Sequence, residues 1–440
     1  MRRSKKRAEP SQPDFALMEK FWNIFKIPEL RKKIFMVLLW LLVFRLLAAI
    51  PVPGIDAAKL QEFFSTNQLF GFLNLFSGGG LTNLSIMMLG VGPYITATII
   101  MQLLTIIFPN LKKAYYEEGA EGRAKFNRLS RYLTIPLAML QGYGFLNLLI
   151  SRGALERLSF PDMATSVIVA TAGSVFLMWI GELISEYKIG NGVSLLIFAG
   201  IVSGLPQTVA TSVLNFSASV IPTYLAFIIL AVVVIAGVVF INEGERKVPV
   251  SYAKQVRGMK MYGGVSTYLP LKVNQAGVIP IIFAISLLLF PQFIAQAVSI
   301  VSPELSLKLN DFVNGLFNNI LFYSALYFVL VVVFTYFYTA ITFDPAEISK
   351  NLQRSGGFIP GIRPGTATAE VIAHTVNRTT LFGALFLGVI AVLPNITQLF
   401  TGIQDLVIGG TGLLIVVAVA LETLKQIESQ LTIREYEGIL

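Results

Sequence analysis

FGFLNLFSGGGLTNLSIMMLGVGPYITATIIMQLL, Phe70 to Leu104, is the stretch that decides how the rest of the chain is read. A short apolar piece, Phe70 to Phe76, breaks at Ser77-Gly78-Gly79-Gly80, where three successive glycines admit almost any turn. The apolar run resumes at Leu81 and continues to Phe108, interrupted by Gly90-Val91-Gly92-Pro93. The pattern is that of a half-helix that stops inside the protein, followed by a spanning helix. Non-helical backbone at membrane depth persists only where it is buried in protein or lines an aqueous cavity. Such a broken segment therefore points to a pathway. The plainer alternative is a surface loop ahead of an ordinary helix.

Composition supports the membrane setting. The chain has 440 residues, 55% of them hydrophobic and 13% charged, with a mean hydropathy of +0.70. Soluble domains carry about 25% charged residues, so a polytopic membrane protein is expected. The absence of cysteine excludes a disulfide framework, thiolate metal sites and a cysteine nucleophile.

Residues 1–33 are polar and basic, with Arg2, Arg3, Lys5, Lys6 and Arg7 leading and Arg31, Lys32 and Lys33 closing the segment. Phe15 to Ile27 has the makings of a short amphipathic helix on the membrane surface. No small-residue cleavage site follows the first apolar run, so a retained cytoplasmic segment is expected. A helix crosses a bilayer with about 20 apolar residues. Ten segments qualify: 34–50, 84–108, 132–150, 163–183, 193–212, 220–241, 276–298, 320–343, 379–400 and 406–423. Ile189 to Asn242 carries no charge over 54 residues. At about 1.5 Å per residue that is too long for one span. Pro206, Gln207, Asn215 and Pro222 place a turn within it, so it is read as two.

The connections alternate in charge. One side of the membrane receives 29 of the 34 Lys and Arg residues, the other only Lys59, Arg152, Arg157 and Lys308, and Arg45 lies within the first span. The positive-inside rule makes the basic side cytoplasmic. Both termini are then inside, as an even number of spans requires. The divisions are a basic segment 1–33, spans one to five over 34–212, spans six to ten over 213–423, and a cytoplasmic tail 424–440. Two cytoplasmic connections, 243–274 and 344–378, exceed ordinary turn length, which marks them as functional. In the first, Val248 to Tyr252 alternates like a strand and Gly263-Gly264 offers a turn, so a projecting hairpin is expected. In the second, Gly356 to Gly365 reads GGFIPGIRPG, a rigid turn presenting Arg363. Basic projections suit RNA, anionic lipids or an acidic protein face. Topology alone also makes cytoplasmic loops basic.

Several chemistries are missing. The single histidine, His374, falls in a cytoplasmic loop. The spans hold no chain of buried carboxylates for proton or sodium coupling; Arg45 can snorkel outward, and Glu182 sits at the inner end of the fourth span. The glycines at 78–80 lack the lysine and spacing of a phosphate loop. Energy must therefore come from a partner or from the membrane potential. A small-solute transporter would need charged or carbonyl-lined sites at the midplane, and a membrane-embedded enzyme would need paired acids or a nucleophile set. Thr96, Thr98, Gln102 and Asn274 are mild polar groups of the kind that usually bond helix to helix.

The chain resembles the SecY family of protein-translocation channel subunits. The resemblance rests on IPELRKKI at 27–34, FRLLAAIPVPGID at 44–56, LFSGGGLTNLSI at 75–86 and GPYITATIIMQLLT at 92–105. It continues through WIGELISEYKIGNGVSLLIFAGIVSGLP at 179–206 and STYLPLKVNQAGVIPIIFA at 266–284. YFYTAITFDPAEISKNLQRSGGFIPGIRPG at 336–365 and GGTGLLIVVAVALETLKQIESQL at 409–431 complete it. The extension before Phe21 is longer and more basic than the family's usual one. The resemblance implies an all-α polytopic bundle of ten transmembrane helices, in two inverted pseudo-symmetric halves of five around an hourglass pore. It implies a plug at about 72–84, carrying Phe72, Leu73, Leu75, Phe76, Gly78, Gly79 and Gly80. It implies an aliphatic pore ring of Val91, Ile95, Ile197, Ile282 and Ile415, with Ile279 an alternative to Ile282 and Leu414 to Ile415. Thr96, Gln102 and Asn274 would line a lateral gate between spans two and three and spans seven and eight. Arg257, Lys260 and Arg363 would dock partners. No catalytic residue, metal or cofactor is implied. The partners implied are the small subunits SecE and SecG, the SecA ATPase, the ribosome with its nascent chain, client signal peptides, SecDF and YidC, and anionic lipids. The location implied is the bacterial cytoplasmic membrane.

Overall fold

The computed structural model describes residues 27–52, 77, 84–116, 118–151, 153, 155–214, 221–252, 255–257, 260–262, 266–298, 302–401 and 405–437. The basic residues before Ile27, the plug residues Phe72, Leu73, Leu75, Phe76 and Gly78 to Gly80, and the turn expected between spans five and six lie outside them.

Among the described residues, ten helices coincide with the ten apolar segments. They are α1 (Pro28–Ala48), α2 (Gly92–Ile107), α4 (Gly119–Ser151), α5 (Phe160–Glu186), α6 (Gly192–Leu214), α7 (Ile221–Glu243), α8 (Ile279–Val298), α10 (Ile320–Thr342), α12 (Thr366–Thr401) and α13 (Asp405–Glu437). Four of them, α4, α5, α10 and α12, are long and apolar enough on their own to cross a membrane. Three shorter helices lie between them: α3 (Pro109–Tyr116), α9 (Pro303–Asn318) and α11 (Pro345–Arg354). Each begins at a proline, which suits a first turn whose N–H has no helical partner.

Several boundaries differ from expectation, for local reasons. The second span is helical only from Gly92, because Leu84 to Val91 form successive turns. Gly90 sits at φ +57° and Pro93 opens the helix. At its far end Phe108 is extended ahead of Pro109, as a residue before proline prefers, and α3 leaves at 107° to α2. The ninth span starts at Thr366, so its first turns fill part of the 344–378 connection. The tenth runs unbroken to Glu437, absorbing most of what composition suggested was a separate tail.

The helices pack twice in one pattern. In the first half α2 packs on α4, α4 on α5, α5 on α6, and α1 on α5. In the second α8 packs on α10, α10 on α12, α12 on α13, and α7 on α12. Span for span these four pairings are the same. Five spans per half is an odd number, so the second copy enters from the opposite side. The halves meet along two seams, α8 against α2 and α4, and α6 against α13.

The excursion that holds the glycine break is closed at its base. Pro51 and Ser85 form an antiparallel bridge, the Val52 N–H donates to Leu84 O at 2.8 Å, and the Ile86 N–H donates to Ile50 O at 3.0 Å. The base is clamped to α5: the Ser174 hydroxyl donates to Gly90 O at 3.0 Å, and a Cβ on Gly173 would lie 2.0 Å from Ile86 O. Only glycine lets α5 approach that carbonyl.

The two long connections carry a small sheet. β1 (Glu245–Tyr252) pairs antiparallel with β4 (Ser266–Lys272), and β5 (Gly357–Phe358) joins β1's other edge. The expected hairpin is present, with Arg257 set opposite Lys260 by register; the turn expected at Gly263-Gly264 lies outside the described residues. β2 (Gln255–Arg257) pairs with β3 (Lys260–Tyr262). Val248, Leu269 and Leu271 pack on Ile348, Ile359, Ile372 and Val376. The two long connections thus form one body.

Candidate functional site: an aliphatic constriction beneath a polar cavity

One buried apolar cluster runs through the centre of the bundle. It holds Val91, Ile95, Ile197, Ile282, Leu414 and Ile415, drawn from both halves. All five ring residues implied by the sequence are thus deeply buried and share one cluster. Such branched side chains offer water no hydrogen bonds, so a narrow collar of them dewets.

On one side of this cluster lies a cavity of about 480 Å³. Ile95, Ile279, Ile282 and Phe283 give it an apolar floor, and Gln102, Asn127, Arg131, Glu182 and Glu186 give it polar walls. Ile279 and Ile282 both face it, one helical turn apart, and only Ile282 belongs to the fully buried cluster. The Arg131 Nε–H donates to Glu182 Oε1 at 2.6 Å, tying α4 to α5 at the cavity wall. Sequence reasoning passed over this pair. The signal was available in principle: consecutive antiparallel spans bring their inner ends together, and the two residues lie near those ends.

The three residues expected at the gate are separated by the fold. Thr96 stays within the first half, donating to Gly92 O at 3.0 Å and accepting from Gln141 Nε2 of α4 at 3.4 Å. Gln102 lines the cavity, 8% exposed, and its buried Oε1 has no hydrogen-bond partner among the described residues. Asn274 lies in the connection before α8, where its amide donates to Asn242 Oδ1 at 2.8 Å and Gly277 O at 3.0 Å. Lys425 of α13 closes the same knot, pairing with Glu243 at 2.9 Å and donating to Asn242 O at 3.3 Å. No hydrogen bond joins Asn274 to Thr96 or Gln102 among the described residues. The contact across this seam is the packing of α8 against α2 and α4.

The residues expected to dock partners fall on two projections of this body. Strand register sets Arg257 directly opposite Lys260 at the tip of the β2–β3 hairpin. Arg363 is exposed in a turn held from behind: the Ser349 hydroxyl donates to Gly365 O at 2.6 Å and the Thr368 hydroxyl to Arg363 O at 2.9 Å. Gly361 and Gly365 have φ of +83° and +108°, conformations that side chains resist. Arg363 forms no ion pair among the described residues. The two connections are tied together by strand pairing, Ser251 with Phe358 and Tyr252 with Gly357, and by the apolar cluster behind it.

The SecY family model matches residues 85–424. The chain belongs to the SecY family. Among its relatives, the protein translocase subunit SecY of Thermus thermophilus is 46% identical, over 96% of this chain and 98% of its own. The subunit of the same name from Corynebacterium glutamicum is 45% identical, over 94% and 98%. The SecY fold is equally plain in three dimensions. A solved SecY channel, described for a plug domain that stabilises its closed state, aligns with a TM-score of 0.62 at 20% identity, over 90% of this chain and 91% of that one. Sec61 in a canine ribosome–channel complex aligns with a TM-score of 0.55 at 18% identity, over 89% and 90%.

Proposed function

We propose that this chain is the channel through which unfolded secretory polypeptides cross the bacterial cytoplasmic membrane, and from which signal or transmembrane helices pass sideways into lipid. The observation that carries the reading is the convergence of aliphatic residues from both halves on one buried cluster beside a cavity with an apolar floor and polar walls. The cavity receives the chain. A collar of Val91, Ile95, Ile197, Ile282 and Ile415 closes around it without demanding any sequence, because branched aliphatic groups contribute no directional bond. The segment 72–84 plugs the far side, and the bridge at Pro51 and Ser85 fixes its stem.

The lateral exit is the seam of α8 against α2 and α4. Gln102 stands at that seam with an unsatisfied acceptor, which costs about 1–3 kcal/mol when buried. A backbone or side-chain donor on an arriving helix relieves that cost, so the closed seam is weakened where a client must enter. The half of the molecule over 34–212 moves against that over 213–423, with both termini cytoplasmic. SecE and SecG brace the bundle. SecA or the ribosome docks on Arg363, Arg257 and Lys260 and supplies the work. SecDF, YidC and anionic lipids are further partners.

The test is reconstitution of the chain with its small subunits in vesicles. An unfolded secretory client should become protected from protease only when ATP and the motor are supplied. A client with a long apolar segment should be recovered in the lipid phase. Protection that is equal in vesicles lacking the chain would overturn the reading.

A further inference from the structure

The cytoplasmic sheet leaves two strand edges open beside the route of the client. β4 pairs with β1 on one side only, and no strand among the described residues covers its other side. Ser266, Thr267, Tyr268, Pro270 and Lys272 are exposed, Tyr268 by 63%. β1 is covered by β5 only at Ser251 and Tyr252, so its edge from Glu245 to Pro249 is also uncovered. β4 leads through Asn274 into α8, whose first turn lines the cavity. An open strand edge is a template for any extended polypeptide. If the Proposed function is right, extended polypeptide is what this face handles.

Register shows where the two prolines sit. Lys247 stands opposite Pro270, and Pro249 stands opposite Tyr268. Proline has no N–H, so neither pair can exchange both ladder bonds. The bonded pairs are therefore Arg246 with Leu271, Val248 with Leu269 and Val250 with Thr267. The alternate residues turn their backbone groups outward: Ser266, Tyr268, Pro270 and Lys272 on β4, and Glu245, Lys247 and Pro249 on β1. Both prolines thus fall at outward-facing positions, where they cost the sheet no internal bond. Each removes a donor from an exposed edge, and its ring obstructs an added strand. Glu245, Lys247 and Lys272 put charged side chains on the same edges, the first two as an ion pair at 3.4 Å.

We propose that Pro249 and Pro270 bar unfolded client polypeptide from adding a strand to this sheet, so that the sheet stays inert to the chain it stands beside. The inference rests on the Proposed function for the identity of the partner. The test uses the full chain in its membrane complex, a photo-crosslinker in place of Tyr268, and a chemically unfolded secretory precursor as probe, without ATP. The Pro249→Thr/Pro270→Thr variant restores both donors on a polar, strand-forming side chain, so a gain cannot come from added apolar surface. It should cross-link the precursor about tenfold more than the parent, the scale of one or two net backbone hydrogen bonds. Precursor should also slow hydrogen exchange of the amide at position 270 in the variant. Pro270→Thr alone should gain cross-links at β4, and none when the crosslinker replaces Lys247 on β1. Equal cross-linking by variant and parent would overturn the proposal, as would strong strand addition by the parent. The readout needs no transport, so failure here leaves the channel reading standing. A parent that behaves as expected at its edges and still transports nothing faults the channel reading alone.

Discussion

Replacing Ile415 with asparagine tests the constriction directly. Ile415 is 2% exposed in a cluster built from both halves of the bundle. In the closed state the substitution forfeits the burial of one aliphatic side chain, about 1.5–3 kcal/mol. It also buries an amide with no partner, which costs about 1–3 kcal/mol. An open, hydrated constriction relieves both penalties. The closed state should therefore lose about 3–5 kcal/mol relative to the open one, which lowers the closed-to-open ratio by roughly two to four decades. The assay is ion efflux from vesicles holding the purified complex, together with export of a client whose signal has a shortened apolar run. Efflux should rise and the weak signal should be accepted. Leu414→Asn is the matched control, since Leu414 is as deeply buried but lies about 100° round the helix. One of the two should open the channel, and the other should only lower thermal stability. Two variants that are both destabilised, tight to ions and as selective as the parent would refute the assignment of α13 to the ring.

Three further outcomes follow from the geometry. Arg363→Glu should abolish ATP-driven transport in vesicles while the purified complex keeps its subunits, because the turn is held by Ser349 and Thr368 through backbone carbonyls and not by the guanidinium; normal transport would remove Arg363 from the docking surface. Arg257→Glu with Lys260→Glu should weaken ribosome binding and flatten its dependence on salt, since fewer phosphate contacts release fewer counterions; an unchanged salt slope in a sedimentation assay would count against the contact. Gly192→Ala should lower the melting temperature of the purified chain by several degrees, because the added Cβ would stand 1.8 Å from Gly181 O and backbone cannot yield as a side chain does; a melting temperature equal to the parent's would mean that α5 and α6 separate at little cost.

Local pattern was enough for the parts of this protein whose energetics are local. Twenty apolar residues must be helical in lipid, whatever they pack against, because no water satisfies the backbone. That is why the ten helices lie where composition placed them. The hairpin in the first long connection was legible from alternation, and the family from motifs spread along the chain. Helix ends were less legible. The second span begins at Gly92 because of the turns before it, and the twelfth helix starts thirteen residues before the apolar run it carries, since a helix in water has no hydropathy signal to mark it.

What only the tertiary structure decided concerns residues distant in sequence. The pairing of Arg131 with Glu182 depends on how α4 meets α5, and the binding of Asn274 to Asn242 depends on how α7 ends. Nothing within either segment specifies its partner, so the bonds that hold Asn274 to Asn242 and Gly277 could not be read from its own stretch of sequence. The convergence of five aliphatic side chains has the same origin. Each is unremarkable in an apolar helix, and burial of all five in one cluster is a property of two packed halves. The role of the prolines belongs here too. Proline in a strand is visible in sequence, but whether its missing N–H faces inward or toward solvent is settled by register alone, because the hydrogen-bonding direction of a strand alternates with every residue.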